Sequence, residues 1–260
     1  MSKIPRAFQT ENGKAFIVFI TCGDPDLATT EELVLAMAEN GVDLIELGIP
    51  FSDPMAEGPV IQAANARGLA AGVTTDDVFD MVRRIREKTD VPMVFMTYAN
   101  VIYSYGTERF ARTAREVGMD GFILPDVPFE EREEFAVPFA AEGLDLIPLV
   151  APTSAERIRS IAQAATGFVY VVSSLGVTGV RQEITTDIGA MTQLVREATS
   201  TPCAVGFGIS TPETARRMAA LSDGAIVGSA VMKIIAERGR ESVPYVAEYV
   251  RAMKAAVARA

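Results

Sequence analysis

Short apolar runs alternate with helix-period segments eight times along this chain, and few folds accommodate that rhythm. The strand candidates cover 15–21, 44–48, 93–97, 121–124, 145–150, 167–173, 203–207 and 224–228, each followed by a helical pattern. Parallel strands joined by crossover helices produce such an order, and eight βα units in 260 residues predict an α/β fold. The expected architecture is a (β/α)8 TIM barrel forming a single domain over residues 1–260. Two additions stand outside the repeat: a short helix within 2–10 across the base, and an extra helix over 59–71 before the one over 75–88. Helix starts are written locally. Thr153 and Glu156 have capping-box spacing, and Thr211 precedes Pro212 as an N-cap precedes proline at the first helical position. No Gly-x-Gly-x-x-Gly run follows the first strand, which disfavours a dinucleotide-binding sheet.

Composition narrows the chemistry. The formal charge of −10 opposes a role that rests on neutralising nucleic-acid backbones. No stretch approaches the ~20 apolar residues of a membrane helix, and the N-terminus lacks the apolar run of a secretory signal, so a cytoplasmic location is expected. The two cysteines, Cys22 and Cys203, have no metal-ligand spacing and read as reduced core thiols; no metal is expected. There is no histidine, so proton transfer must fall to carboxylate, Tyr, Lys or Cys.

The stretch from Asp43 to Gln62 places a carboxylate where an ordinary core rejects one. Period-two alternation puts Leu44, Glu46 and Gly48 on one strand face and Ile45 and Leu47 on the other. Because no polar residue flanks Glu46 to make a wet face, the strand is read as buried and Glu46 as an interior acid of raised pKa, suited to donating a proton near neutral pH. Gly48, Pro50, Pro54 and Gly58 then open a loop that carries a second acid, Glu57.

In barrels of this kind chemistry gathers at the C-terminal strand ends. There the chain reads Thr21-Cys22-Gly23-Asp24-Pro25, Tyr98-Ala99-Asn100 and Pro125-Asp126-Val127-Pro128, with Asp24 and Asp126 taken as turn or helix-capping acids. The long glycine-bearing segment 173–181 is expected to act as a lid. Gly206-Phe207-Gly208-Ile209-Ser210 and Gly228-Ser229 have the small residues that let backbone N–H groups approach a phosphate, with a helix N-terminus near Ser229.

The run Ile-Glu-Leu-Gly-Ile-Pro-Phe-Ser-Asp-Pro over 45–54, followed by Gly-Pro-Val-Ile-Gln over 58–62, resembles the signature of the tryptophan synthase alpha chain. Phe-Ile-Thr-x-Gly-Asp-Pro, Tyr-Ala-Asn, Pro-Asp-Val-Pro, Gly-Val-Thr-Gly, Gly-Phe-Gly-Ile and Gly-Ser-Ala occur in that family's order, so the resemblance spans nearly the whole chain. It implies a β/α barrel with Glu46 and Glu57 as catalytic acids, although the family most often has Asp where this chain has Glu57. It also implies an indole pocket of Phe19, Tyr98, Ile123 and Phe207, with Tyr170 also binding substrate. Gly179, Gly208, Gly228 and Ser229 are implied to hold phosphate, and Thr178 to close onto Glu57. Ser173 and Ser174 stand where many members have a Ser-Arg pair.

The implied reaction is cleavage of indole-3-glycerol phosphate to indole and glyceraldehyde 3-phosphate by a lyase with no cofactor. The implied partner is a β chain in an α2β2 tetramer, met by the loop 50–54 and the segment around Pro128. Two other readings remain. One is a weakly active barrel that serves mainly to activate the β chain. A different phosphate-handling barrel, such as a sugar-phosphate isomerase, would need another acid or base in place of the Glu46 and Glu57 pair.

Overall fold

The computed structural model describes residues 2–173, 187–206 and 208–260. Thr178, Gly179 and Phe207, together with most of the expected lid, therefore lie outside the described residues. The first half of the chain forms α1 (Ile4–Ala7), β1 (Ala15–Thr21), α2 (Leu27–Glu39), β2 (Leu44–Gly48), α3 (Pro59–Ala70), α4 (Thr75–Arg86), β3 (Met93–Met96), α5 (Ala99–Tyr105), α6 (Thr107–Glu116) and β4 (Gly121–Ile123). A 3-10 turn (Phe129–Glu131) leads to α7 (Glu133–Ala141), β5 (Asp145–Ile147), β6 (Leu149–Val150), α8 (Ala155–Gln163), β7 (Val169–Val172) and α9 (Ile188–Ala198). The chain continues through β8 (Cys203–Gly206), α10 (Pro212–Leu221), β9 (Gly224–Val227) and α11 (Ser229–Arg238), then a second 3-10 turn (Gly239–Glu241) and α12 (Val243–Val257). Among the described residues, no helix is long and apolar enough to cross a membrane.

All strand pairs are parallel, in the order β5-β4-β3-β2-β1-β9-β8-β7-β6. The predicted fifth strand is split: β5 pairs with β4 and β6 pairs with β7, with Pro148 between them. Proline has no N–H to give a ladder, so the strand bends there, while the Pro148 carbonyl still accepts from Tyr170 N at 3.0 Å. The eight predicted strands thus form a barrel whose seam is bridged by the chain itself. β1 and β2 have the expected limits, and the other strands differ from theirs by one or two residues at their ends.

The N-terminal ends of the strands are tied by a recurring device. Asp43 accepts from Phe16 N at 2.6 Å, Asp120 from Met93 N at 3.0 Å, and Asp223 from Cys203 N at 2.9 Å. Each acid precedes one strand and receives the amide of a residue on the strand one place earlier in the chain, an amide that the ladder leaves unused. Cations neutralise the three: Lys254 reaches Asp43, Arg86 reaches Asp120 and Arg196 reaches Asp223. Asp120 also accepts Lys3 N at 2.7 Å, which docks α1 across the base with Ile4 fully buried. The short basal helix expected within 2–10 is therefore present as α1.

Two local expectations change. Ser154, rather than Thr153, caps α8 by accepting from Arg157 N, and Thr153 donates instead to Ala151 O. Asp24 closes the turn after β1, its N–H donating to Thr21 O at 3.4 Å, but its side chain caps no helix. It is 1% exposed and receives both Arg67 Nε and Nη2 at 2.7 Å, fastening the loop after β1 to α3. Asp26 caps α2 in its place. Thr211 caps α10 with Pro212 at its start, as its spacing predicts. Cys22 and Cys203 are free and buried.

Candidate active site

Every residue of β2 is buried, because one face looks into the barrel and the other against the helices. Glu46 sits opposite Phe19 on β1 and Val94 on β3. It is 0% exposed, and neither carboxylate oxygen has a hydrogen-bond partner among the described residues. Burial without a compensating donor penalises the charged form and pushes its pKa from 4.5 to about 8. At neutral pH Glu46 is therefore mostly a carboxylic acid, holding a transferable proton inside an apolar shell.

Glu46 borders a cavity of about 30 Å³ lined also by Phe19, Tyr170, Gly208, Gly228 and Ser229. These residues come from strands distant in sequence, and the barrel brings their C-terminal ends together. Ile61, Met96, Ile209 and Ile226 complete the lining; sequence reasoning did not single them out, although Met96 and Ile226 lie on predicted strands. Gly206 supports this wall from β8, since a Cβ there would overlap the Tyr170 ring. Burial, then the charges of Glu46 and Glu57, raise the Tyr170 phenol well above its ordinary pKa, so it stays protonated.

Glu57 does not border that cavity, and neither do Tyr98 and Ile123. Ile123 is fully buried on β4 opposite Met96. Glu57 is 3% exposed on the loop after β2. The Tyr98 hydroxyl donates to its Oε2 at 2.6 Å and accepts from Ala56 N at 3.2 Å. Burial raises the Glu57 pKa to about 7, the Tyr98 hydrogen bond works against this, and the Asp126 charge adds to it. Phe51 stacks on Tyr98 with ring centroids 5.0 Å apart, while Asn65 of α3 accepts from Phe51 N and donates to Ile61 O. The extra helix thus holds the acid-bearing loop at Phe51 through Asn65, and at Glu57 through Gln62 Nε2, which donates to Glu57 O at 2.7 Å. Asp126 receives Ala99 N at 3.1 Å on each oxygen, a capping role that reaches from the end of β4 to the start of α5.

Gly228 is the N-cap of α11 and has no side chain to satisfy its first amides, which leaves that helix end available to an anion. A larger groove of about 950 Å³ opens between α7 and α8, walled by Val127, Phe129, Val137, Leu146 and Ile161. Neither Glu46 nor Glu57 borders it, and Arg157 at its edge is paired with Glu130.

The family model described as tryptophan synthase alpha chain matches residues 6–258. A tryptophan synthase alpha chain from Caldanaerobacter subterraneus subsp. tengcongensis is 51% identical over 240 residues, covering 91% of this chain and 92% of that protein. One from Lacticaseibacillus casei is 45% identical over 258 residues, covering 99% and 96%. Among solved structures, tryptophan synthase subunit alpha from Legionella pneumophila str. Paris superposes with a TM-score of 0.89 at 36% identity, covering 100% of both chains. A tryptophan synthase structure from Mycobacterium tuberculosis gives 0.90 at 31% identity, covering 98% of each chain.

Proposed function

The chain belongs to the tryptophan synthase alpha-chain family, and from that premise we propose that the Glu46 cavity is where indole-3-glycerol phosphate is cleaved to indole and glyceraldehyde 3-phosphate. Cleavage requires a proton on the indole ring carbon that bears the side chain, followed by loss of the proton from the adjacent side-chain hydroxyl. Glu46, protonated at neutral pH by its burial, gives the first proton. The resulting carboxylate then takes the hydroxyl proton as the carbon–carbon bond breaks. The bond's electron pair restores the aromatic indole, the hydroxyl carbon becomes the aldehyde, and Glu46 ends protonated as it began.

Glu57 accepts the indole N–H and balances the positive charge that develops on the ring. Its bracket with Tyr98 fixes one carboxylate oxygen, and the other accepts no hydrogen bond among the described residues. Phosphate binding is assigned to backbone groups around Gly208 and Gly228, with Ser229, and to Gly179 by resemblance. Phe19 and Tyr170 form the apolar wall for the ring. A cavity of about 30 Å³ holds roughly one water molecule, so the walls must part to admit a bicyclic substrate.

The observation that carries this reading is a fully buried Glu46 whose oxygens have no hydrogen-bond partner among the described residues, in a cavity edged by glycines. The test is indole release from indole-3-glycerol phosphate, measured with and without the cognate β chain, by the wild type and Glu46→Gln. Release by the wild type and its loss in the variant supports the reading.

The alpha-chain family name implies a β chain as partner, and we propose an α2β2 assembly in which the loop 50–54 and the segment around Pro128 meet it. Exposed apolar side chains near these segments, Met55 at 73% and Tyr103 at 48%, favour a protein neighbour there. Gel filtration with the cognate β chain at micromolar concentration should give one co-eluting complex, and separate elution would count against the assembly.

A further inference from the structure

We propose that Tyr249, on the C-terminal helix, is a positioning residue for phosphate binding, acting through the loop that follows β8. The inference rests on the reading of that loop as part of the phosphate site. Gly208 and Ile209 line the Glu46 cavity, and Gly208 has φ +76°, a conformation that side chains with a Cβ rarely adopt. The loop therefore has a defined backbone shape that its own sequence does little to hold.

Two contacts from outside fix its far end. The Tyr249 hydroxyl of α12 donates to Ser210 O at 2.9 Å, and the Ser210 amide donates to Thr214 Oγ1 at 3.4 Å. Thr214 belongs to the capping box of α10, so one partner is local while the other comes from 39 residues away. Tyr249 is itself held by its helix, whose Val246, Val250 and Met253 are completely buried. Burial raises the Tyr249 phenol above its ordinary pKa and keeps it a donor throughout the working range of pH. Removing the hydroxyl frees the Ser210 carbonyl and lets the segment leading back to Gly208 drift. Backbone amides that bind an anion lose affinity when displaced by fractions of an ångström, whereas an apolar ring pocket formed by other strands is little affected.

The test compares Tyr249→Phe with the wild type and with Tyr245→Phe, a change at an exposed tyrosine of the same helix. Dissociation constants are measured for glycerol 3-phosphate and for indole, along with kcat and KM for indole-3-glycerol phosphate in the presence of the β chain. Tyr249→Phe should weaken glycerol 3-phosphate and raise KM about three- to tenfold, the range expected from one hydrogen bond, with indole affinity and kcat within twofold of wild type. Tyr245→Phe should change none of these. Equal weakening of both ligands would mean general loosening and would overturn the proposal. It would also fall if Tyr249→Phe left both ligands unchanged while Gly208→Val abolished glycerol 3-phosphate binding, although the loop would still be the phosphate site. Unchanged glycerol 3-phosphate binding in Gly208→Val would remove the phosphate-loop reading and this inference with it.

Discussion

Tyr98 donates its hydroxyl proton to Glu57 at 2.6 Å while accepting the Ala56 amide, so a single phenol positions the loop acid and lowers its proton affinity. That hydrogen bond favours the carboxylate and moderates the rise caused by burial. Tyr98→Phe should therefore raise the Glu57 pKa above about 7 and shift the acid limb of kcat/KM to higher pH, with about a tenfold loss of rate at pH 7. A pH-rate profile with an unmoved acid limb would show that Tyr98 only packs against the loop.

The proposed mechanism requires Glu57 ionised and Glu46 protonated, and burial places their pKa values near 7 and 8. A narrow bell-shaped profile of kcat/KM follows, with its optimum between those values. Glu57→Gln should abolish the acid limb along with most of the activity. Rates that stay flat from pH 6 to 9 would exclude this assignment of roles.

Glu46→Gln should lower indole release by ~100-fold or more, because an amide keeps the shape but has no acidic proton. It should also change stability in a pH-dependent way. A carboxyl with a pKa of 4.5 unfolded and about 8 folded binds more protons when folded, so its contribution is fully present below about 4.5 and is lost as pH rises toward 8. The cost of ionising it in place is on the order of 4 kcal/mol at most near pH 8. Thermal melting should thus find the variant gaining on the wild type between pH 5 and pH 8; a constant difference would mean that Glu46 does not titrate in the fold.

Glu57→Asp should reduce turnover, even though Asp is the residue the family more often has. Shortening the side chain moves the carboxylate by about an ångström away from a Tyr98 hydroxyl that is already at hydrogen-bond distance, and such errors can cost ~100-fold on a fixed scaffold. Glu57→Ala should nearly abolish activity. Steady-state indole release decides the matter, and higher turnover in Glu57→Asp would mean that the loop is not fitted to Glu.

Arg67→Met keeps an apolar stem but leaves Asp24 buried without its two donors. A loss of about 3 kcal/mol is expected, or roughly 6–12 °C in Tm for a chain of this size. Since Gly68 beside Arg67 packs closely on Cys22 O and Pro50, activity should fall along with stability as the acid-bearing loop loses its support. Differential scanning calorimetry and the indole assay on the same variant check both effects.

The sequence by itself determined the barrel, the additional helices α1 and α3, and the burial of Glu46, but not the doubling of helices after β3 and β9. Strand and helix periodicities are local, and an unaccompanied Glu46 between Leu44, Ile45 and Leu47 is visible without coordinates. Glycines at the last two strand ends were legible for the same reason. Tertiary structure alone decided which side chains line the Glu46 cavity. Ile61, Met96, Ile209 and Ile226 reach the cavity only because strands far apart in sequence close into one ring, while Tyr98 and Ile123 stand back from it. Pro148 breaks a strand that periodicity shows as continuous, because the missing N–H matters only once both neighbours are known. Asp24 is legible as a turn residue, but its carboxylate's partner, Arg67 of α3, is supplied only by the fold. Partners of buried polar groups are chosen by packing between distant segments, whereas local sequence registers only that such a group is present.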